Sequence, residues 1–166
     1  DIGCHEEIPE TADTLEGNAL IKARHVWERY GLYCFADDTG LEVEALDGAP
    51  GVYSARFAGE HATFEDNVAL LLERLKGVPA PRRACFRTVI ALIDEYGTHF
   101  FEGAVNGEIT LERSGDHGFG YDPVFRPKGC QQTFAELSSE EKNAMSHRGR
   151  AVQRLARYLH ALPLDE

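Results

Sequence analysis

The sequence predicts one α/β domain (1–166) built on a mixed sheet, and three observations carry that reading. Helical and strand periodicities are interleaved along the chain. The middle third, from Arg83 to Leu111, reads as an antiparallel meander. The 166 residues, 43% hydrophobic and 27% charged, bury a sizeable core yet are of ordinary length for a single domain.

Residues 1–13 are acidic and loop-like. Asp13 and Glu16 have capping-box spacing, which starts a helix at Thr14. Leu15, Ala19, Leu20, Ala23, Val26, Trp27 and Tyr30 give it one apolar stripe, and Gly31 stops it. Cys34-Phe35-Ala36 is a short buried strand that ends in the carboxylate pair Asp37-Asp38. Thr39-Gly40 then turns the chain before Leu41, Val43 and Ala45 alternate. Gly48 to Tyr53 is a loop by its Gly/Pro punctuation. Thr63 and Asp66 cap a helix whose apolar face is Val68, Leu71, Leu72 and Leu75. Arg83 to Asp94 is the longest strand, and its second half, apolar on both faces, belongs in the centre of the sheet. Glu95-Tyr96-Gly97 leads into a strand from His99 to Val105, and Asn106-Gly107 is the strongest hairpin signal in the chain. A Gly-rich segment, 114–120, precedes extended structure at Tyr121 to Phe125. Ser138 and Glu141 cap a helical segment running towards His147. A last helix follows, with Val152, Leu155, Ala156, Leu159 and Leu162 as its apolar face.

A net charge of −11 argues against a nucleic-acid backbone or an anionic membrane as the main partner. No apolar run approaches the ~18 residues of a membrane span, and no signal-peptide pattern is read in these 166 residues. Four scattered cysteines, without C-x-x-C or zinc spacing, read as reduced thiols in a cytoplasmic protein.

Three clusters carry chemistry. Glu10, Asp37 and Asp38 are hard oxygen donors of the kind that suits Mg²⁺ beside substrate phosphates. An ordinary strand-to-turn junction uses the same residue types as Asp37 to Gly40. Gly118-Phe119-Gly120-Tyr121-Asp122 lets an aromatic ring project from a backbone that approaches a flat ligand closely, and a plain loop with a core aromatic has the same composition. It is not a dinucleotide fingerprint, having no G-x-G-x-x-G and no helix after it. Lys142 to Arg148 is donor-rich, with Lys142 and Ser146 on one face if they share a helix. A solvated charged face paired to Glu140 and Glu141 is the bland counterpart.

Taken together, E-T-x-x-T-x-x-x-N-A-x-x-K-A (Glu10 to Ala23), A-D-D-T-G-L (Ala36 to Leu41), G-A-P-G-x-Y-S-A-R (Gly48 to Arg56), F-G-Y-D-P-x-F (Phe119 to Phe125) and E-K-N-x-x-S-H-R (Glu141 to Arg148) resemble the inosine/xanthosine triphosphate pyrophosphatase family. The resemblance covers essentially the whole chain. It implies a largely antiparallel central sheet flanked by helices, with two lobes around a cleft, and usually a homodimer. It also implies Mg²⁺-dependent hydrolysis of ITP, dITP and XTP to the monophosphate and pyrophosphate. By position Asp38 is then the general base and a metal carboxylate, and Glu10 a second metal-site acid. Thr39 touches the nucleotide, Phe119 stacks on the base, and Gly120, Tyr121 and Asp122 line its pocket. Lys142, Ser146, His147 and Arg148 read the purine edge.

The chemistry agrees with that transfer, because hypoxanthine and xanthine carry an oxygen at C6 where adenine carries an amino group, and a donor-rich pocket separates the two. Members of the family begin with a strand and a T/S-x-N-x-x-K loop that holds the triphosphate. Residues 1–13 supply neither, so the expectation is a longer native chain. A nucleotide-binding protein with little or no turnover is the second reading, on the ground of that missing segment. A Nudix-type hydrolase is a third, and its signature helix of spaced glutamates is absent.

Overall fold

The central scaffold is β1 (Cys34–Val43), which pairs antiparallel along its whole length with β3 (Arg83–Asp94), Cys34 opposite Ile93 and Val43 opposite Ala84. The computed structural model describes residues 11–31 and 33–162, so Glu10 and Cys4 lie outside the described residues. β3 turns back through Glu95-Tyr96 into β4 (Gly97–Ile109), where Asp94 Oδ1 accepts the Tyr96 N–H at 2.9 Å. Short strands β2 (Pro50–Gly51) and β5 (Phe125–Pro127) flank the sheet, giving the order β2-β1-β3-β4-β5. Every pairing among the described residues is antiparallel. The expected antiparallel character is present, and the parallel part of a mixed sheet does not occur among them.

Helices cover both faces. On one, α1 (Leu15–Tyr30) sets Ala19 and Ala23 against Ala91 and Ile93. Its cap is Thr14, one residue beyond the expected Asp13, with Oγ1 accepting the Gly17 N–H at 3.0 Å. α2 (Phe64–Arg74) contributes Val68 and Leu71 to the larger core of Leu41, Val43, Phe86, Phe125 and Phe134. α3 (Ser139–Met145) is short, and α4 (His147–Ala161) packs Ala151 and Leu155 on Ile90 and Leu92. The capping boxes at Thr63/Asp66 and Ser138/Glu141 form as their spacing predicts. No helix among the described residues is long and apolar enough to cross a membrane.

Three local expectations are corrected. Asp37 to Gly40 is not a turn: the strand runs straight through it, each residue paired with Ile90 to Arg87. Extended structure wins because the two carboxylates find cations on opposite faces, and because Gly40 leaves room for Gly51. A Cβ at Gly40 would lie 2.5 Å from the Gly51 carbonyl oxygen. Asn106-Gly107 is likewise mid-strand, with Gly107 opposite Pro127. There a Cβ would come within 2.4 Å of the Arg126 oxygen and 2.7 Å of the Phe125 ring, so this glycine serves close approach and not a hairpin. Finally, α4 buries Ala151 and Leu155 and sets Tyr158 against the same core, while Val152 and Leu159 stay exposed.

The third correction has a backbone cause. Gly103 of β4 meets the first turn of α4 so closely that a Cβ would sit 2.0 Å from the His147 oxygen and 2.4 Å from the Ala151 nitrogen. That contact fixes the rotation of the helix and turns Ala151 inward. Gly103→Ala must lift the start of α4 from the sheet, and overpacking of this kind costs about 1–3 kcal/mol. Chemical denaturation is expected to report a loss of that size, and an unchanged midpoint would remove Gly103 from this role.

Candidate active site

Period-two alternation sends Asp37 and Asp38 to opposite faces of β1. Asp38 faces α1, where Lys22 Nζ lies 3.5 Å from its Oδ1 and its side chain is 11% exposed. Asp37 faces α4, where Arg148 Nε lies 3.0 Å from its Oδ2. The acidic pair of the sequence is thus two separate ion pairs, each tied to a different helix. Thr39, on the α4 face, shares a 2.7 Å hydrogen bond with Thr88 of β3.

The second and third sequence clusters do meet. Lys142 Nζ sits 2.5 Å from Asp122 Oδ2 and 4.7 Å above the centroid of the Phe119 ring. Asp122 is buried, and the same Oδ2 accepts the Phe119 N–H at 3.0 Å. Gly118 makes this possible. Its φ of +78° is one that L side chains rarely adopt, and a Cβ there would meet Asp122 Oδ2 at 2.2 Å. Phe119 itself is left largely in solvent, and Gly120 beside it has open space around its Cα. Tyr121 is buried, its hydroxyl donating to the Ser54 carbonyl at 2.6 Å, and burial pushes its pKa up. Ser54 Oγ in turn accepts the Leu41 N–H at 2.9 Å, which anchors the Phe119 loop to the end of β1.

Lys142 and Ser146 do not share a helix. α3 stops at Met145, and Ser146 adopts an extended conformation whose Oγ accepts the Gly149 N–H at 3.0 Å, capping α4. Ser146 is therefore a junction, and His147 and Arg148 open the next helix instead of closing the previous one. His147 stacks on Phe86 at 4.8 Å and on Phe134 at 6.4 Å, and Lys142 lies 5.6 Å over that same Phe134 ring. Burial, with the positive charges of Arg148 and Lys142, pushes the His147 imidazole down to about 4, so it is neutral near pH 7. Its Nδ1 is buried with no hydrogen-bond partner among the described residues, a deficit worth roughly 1–3 kcal/mol.

Sequence reasoning missed two contributors. Lys22 was legible as the residue four after Asn18 on one helix face, inside a motif already in view. Ser54 lies inside the G-A-P-G-x-Y-S-A-R motif, but its contacts, the carbonyl accepting from Tyr121 and the hydroxyl accepting from the Leu41 N–H, are tertiary and leave no sequence pattern. A cavity of about 710 Å³, lined by Glu42, Arg83, Cys85, Glu108, Arg126 and Lys128, opens elsewhere on the α1 face, and no site residue lines it.

Two candidate sites therefore stand on the sheet: Lys142 over the exposed Phe119 ring, and the Asp38–Lys22 pair on the α1 face. The Ham1 family model matches residues 1–158, and the chain belongs to this family. It is 64% identical over 159 residues to the dITP/XTP pyrophosphatase of Porphyromonas gingivalis, covering 96% of this chain and 82% of the relative. It is 54% identical to that of Flavobacterium johnsoniae, covering 97% and 83%. Among solved structures it is similar to a HAM1 protein from Coxiella burnetii, with a TM-score of 0.90 and 43% identity over 95% of this chain and 82% of that one.

The depressed His147 pKa makes stability depend on pH. Between about 6.5 and about 4, the unfolded chain takes up a proton at this ring that the folded chain refuses, so stability falls as pH drops through that window. His147→Asn, which binds no proton, is expected to flatten that part of the stability profile in denaturant titrations. An identical slope in both proteins would refute the burial account.

Proposed function

We propose that this protein hydrolyses ITP, dITP and XTP to the nucleoside monophosphate and pyrophosphate, removing deaminated purine nucleotides from the pool. The observation that carries the reading is Lys142, held at 2.5 Å by Asp122 and at 4.7 Å over Phe119. An ammonium fixed over an exposed aromatic ring is placed to donate to a C6 oxygen of a bound base. Adenine's amino group would face that donor with nothing to accept, which penalises ATP. Lys142 also lies 5.6 Å over the Phe134 ring on which His147 stacks, which keeps the imidazole near the same ammonium. The shared name of the relatives at 64% and 54% identity supports the same substrate class.

Asp38 is the residue we assign to the water. Its carboxylate accepts the proton of an attacking water, and Lys22 beside it offsets phosphate charge in a chain of net charge −11. Asp38 is also a hard oxygen donor, and among the described residues there is no group of three metal-type side chains. One carboxylate matches Mg²⁺, which binds through one or two carboxylates, waters and substrate phosphates. Asp38, with Glu10 from outside the described residues, would hold Mg²⁺, which when bound polarises a phosphoryl oxygen. We take the protein to act in the cytoplasm as a homodimer, and sedimentation at micromolar concentration is expected to return twice the chain mass; a monomer would contradict this.

A panel of ITP, XTP, GTP and ATP with Mg²⁺, following pyrophosphate against phosphate, tests the assignment directly. Pyrophosphate from ITP and XTP is the expected product. Asp38→Asn should lower kcat by roughly 10²–10⁴-fold with nucleotide binding retained. Binding without any turnover in the unaltered protein would favour the second reading of a nucleotide carrier. Arg148→Ala should lose more activity on ITP than on ATP, and equal losses would remove Arg148 from base recognition.

A further inference from the structure

Phe64 is the first residue of α2, and its ring is 59% exposed. Its neighbours are all tied down. Thr63 and Asp66 close a reciprocal capping box at 3.1 and 2.9 Å. Glu65 pairs with Arg113 at 2.5 Å. Asn67, buried, accepts from the Ala58 N–H at 2.8 Å and donates to the Ala55 carbonyl at 3.0 Å. The backbone at Phe64 is therefore a fixed mount that presents a large apolar ring to water. The ring contacts the Phe119 ring, 6.2 Å between centroids and tilted by 41°, and Phe119 is itself 61% exposed.

Two exposed, tilted rings beside the Lys142–Asp122 pair form the walls of a narrow slot. A purine sandwiched between rings needs about 7 Å from ring to ring, two contacts of roughly 3.5 Å each. The pair stands somewhat closer than that. The ring able to yield is Phe119, which lies between Gly118 and Gly120, both at positive φ. Phe64, on its capped helix, stays in place.

We propose that Phe64 is the second wall of the purine site, so that the base enters between Phe64 and Phe119 with its oxygen-bearing edge towards Lys142. This rests on the nucleotide reading above and adds a residue to it. Phe64 binds and orients the base and takes no part in the chemistry. Its loss raises KM and leaves kcat alone.

Three variants test it in the full chain. Phe64→Ala is expected to raise KM for ITP roughly tenfold, with kcat within about twofold. At about 1.4 kcal/mol per tenfold that matches a single base–aromatic stacking contact. Phe64→Tyr, which keeps the ring, should restore most of the loss. If Phe119→Ala raises KM but Phe64→Ala does not, this inference fails and the proposed function stands. Phe64→Trp gives a readout independent of turnover, since the chain's single tryptophan, Trp27, is stacked on Tyr33 of the α1 region. Emission from the new indole should be quenched by inosine monophosphate and not by pyrophosphate. Absence of pyrophosphate release from ITP in the unaltered protein would sink the proposed function, while quenching by inosine monophosphate would still uphold the slot. No quenching by either ligand overturns the slot.

Discussion

Alternation along one strand governs this molecule. Because successive side chains of β1 leave by opposite faces, Asp37 and Asp38 cannot act as a unit, and each recruits a cation from its own side of the sheet. Lys22 answers from α1 and Arg148 from α4. The two ties are unequal. Asp37 and Arg148 are 39% and 56% exposed, so their pair contributes at most about 1 kcal/mol, and Arg148 can leave it for a ligand at small cost. Asp38, 11% exposed, depends far more on keeping a positive partner.

The loop that carries Phe119 is held by a different kind of interaction. Its far end is fastened by buried hydrogen bonds running from Tyr121 through Ser54 to Leu41. Its near end is fastened by a single carboxylate, since Asp122 takes both the Lys142 ammonium and the Phe119 amide on one oxygen. Between these anchors the Phe119 ring is exposed and Gly120 has open space beside it. Buried polar groups hold the loop in place while the aromatic ring is left open to solvent.

Much of this could be read from the residues. β3 lies where its apolar run put it, Arg83 to Asp94, and two capping boxes form at the residues their spacing named. The misreadings share one cause. Thr39-Gly40, Asn106-Gly107 and the stripe of α4 were judged by local rules, whereas Gly40, Gly103 and Gly107 are small because another backbone passes within contact distance. Such approaches are tertiary and leave no periodic trace. The site follows the same pattern. Its residue types were legible one by one, but not that Lys142 would join Asp122 across twenty positions of sequence, nor that Arg148 would turn to Asp37. Glu10, named from the sequence, lies outside the described residues.

Ser146 ends one helix and begins another, and it divides the residues proposed to read the base between two helices. Lys142 rides on the short helix, whereas His147 and Arg148 ride on the long one that is seated on the sheet through Gly103. Exposed positions of the short helix, such as Ser139, Glu140, Asn143 and Ala144, can change around Lys142, whereas Met145 packs against the main core. This gives laboratory selection of a pyrophosphatase with altered base choice a short, tolerant segment in which to work.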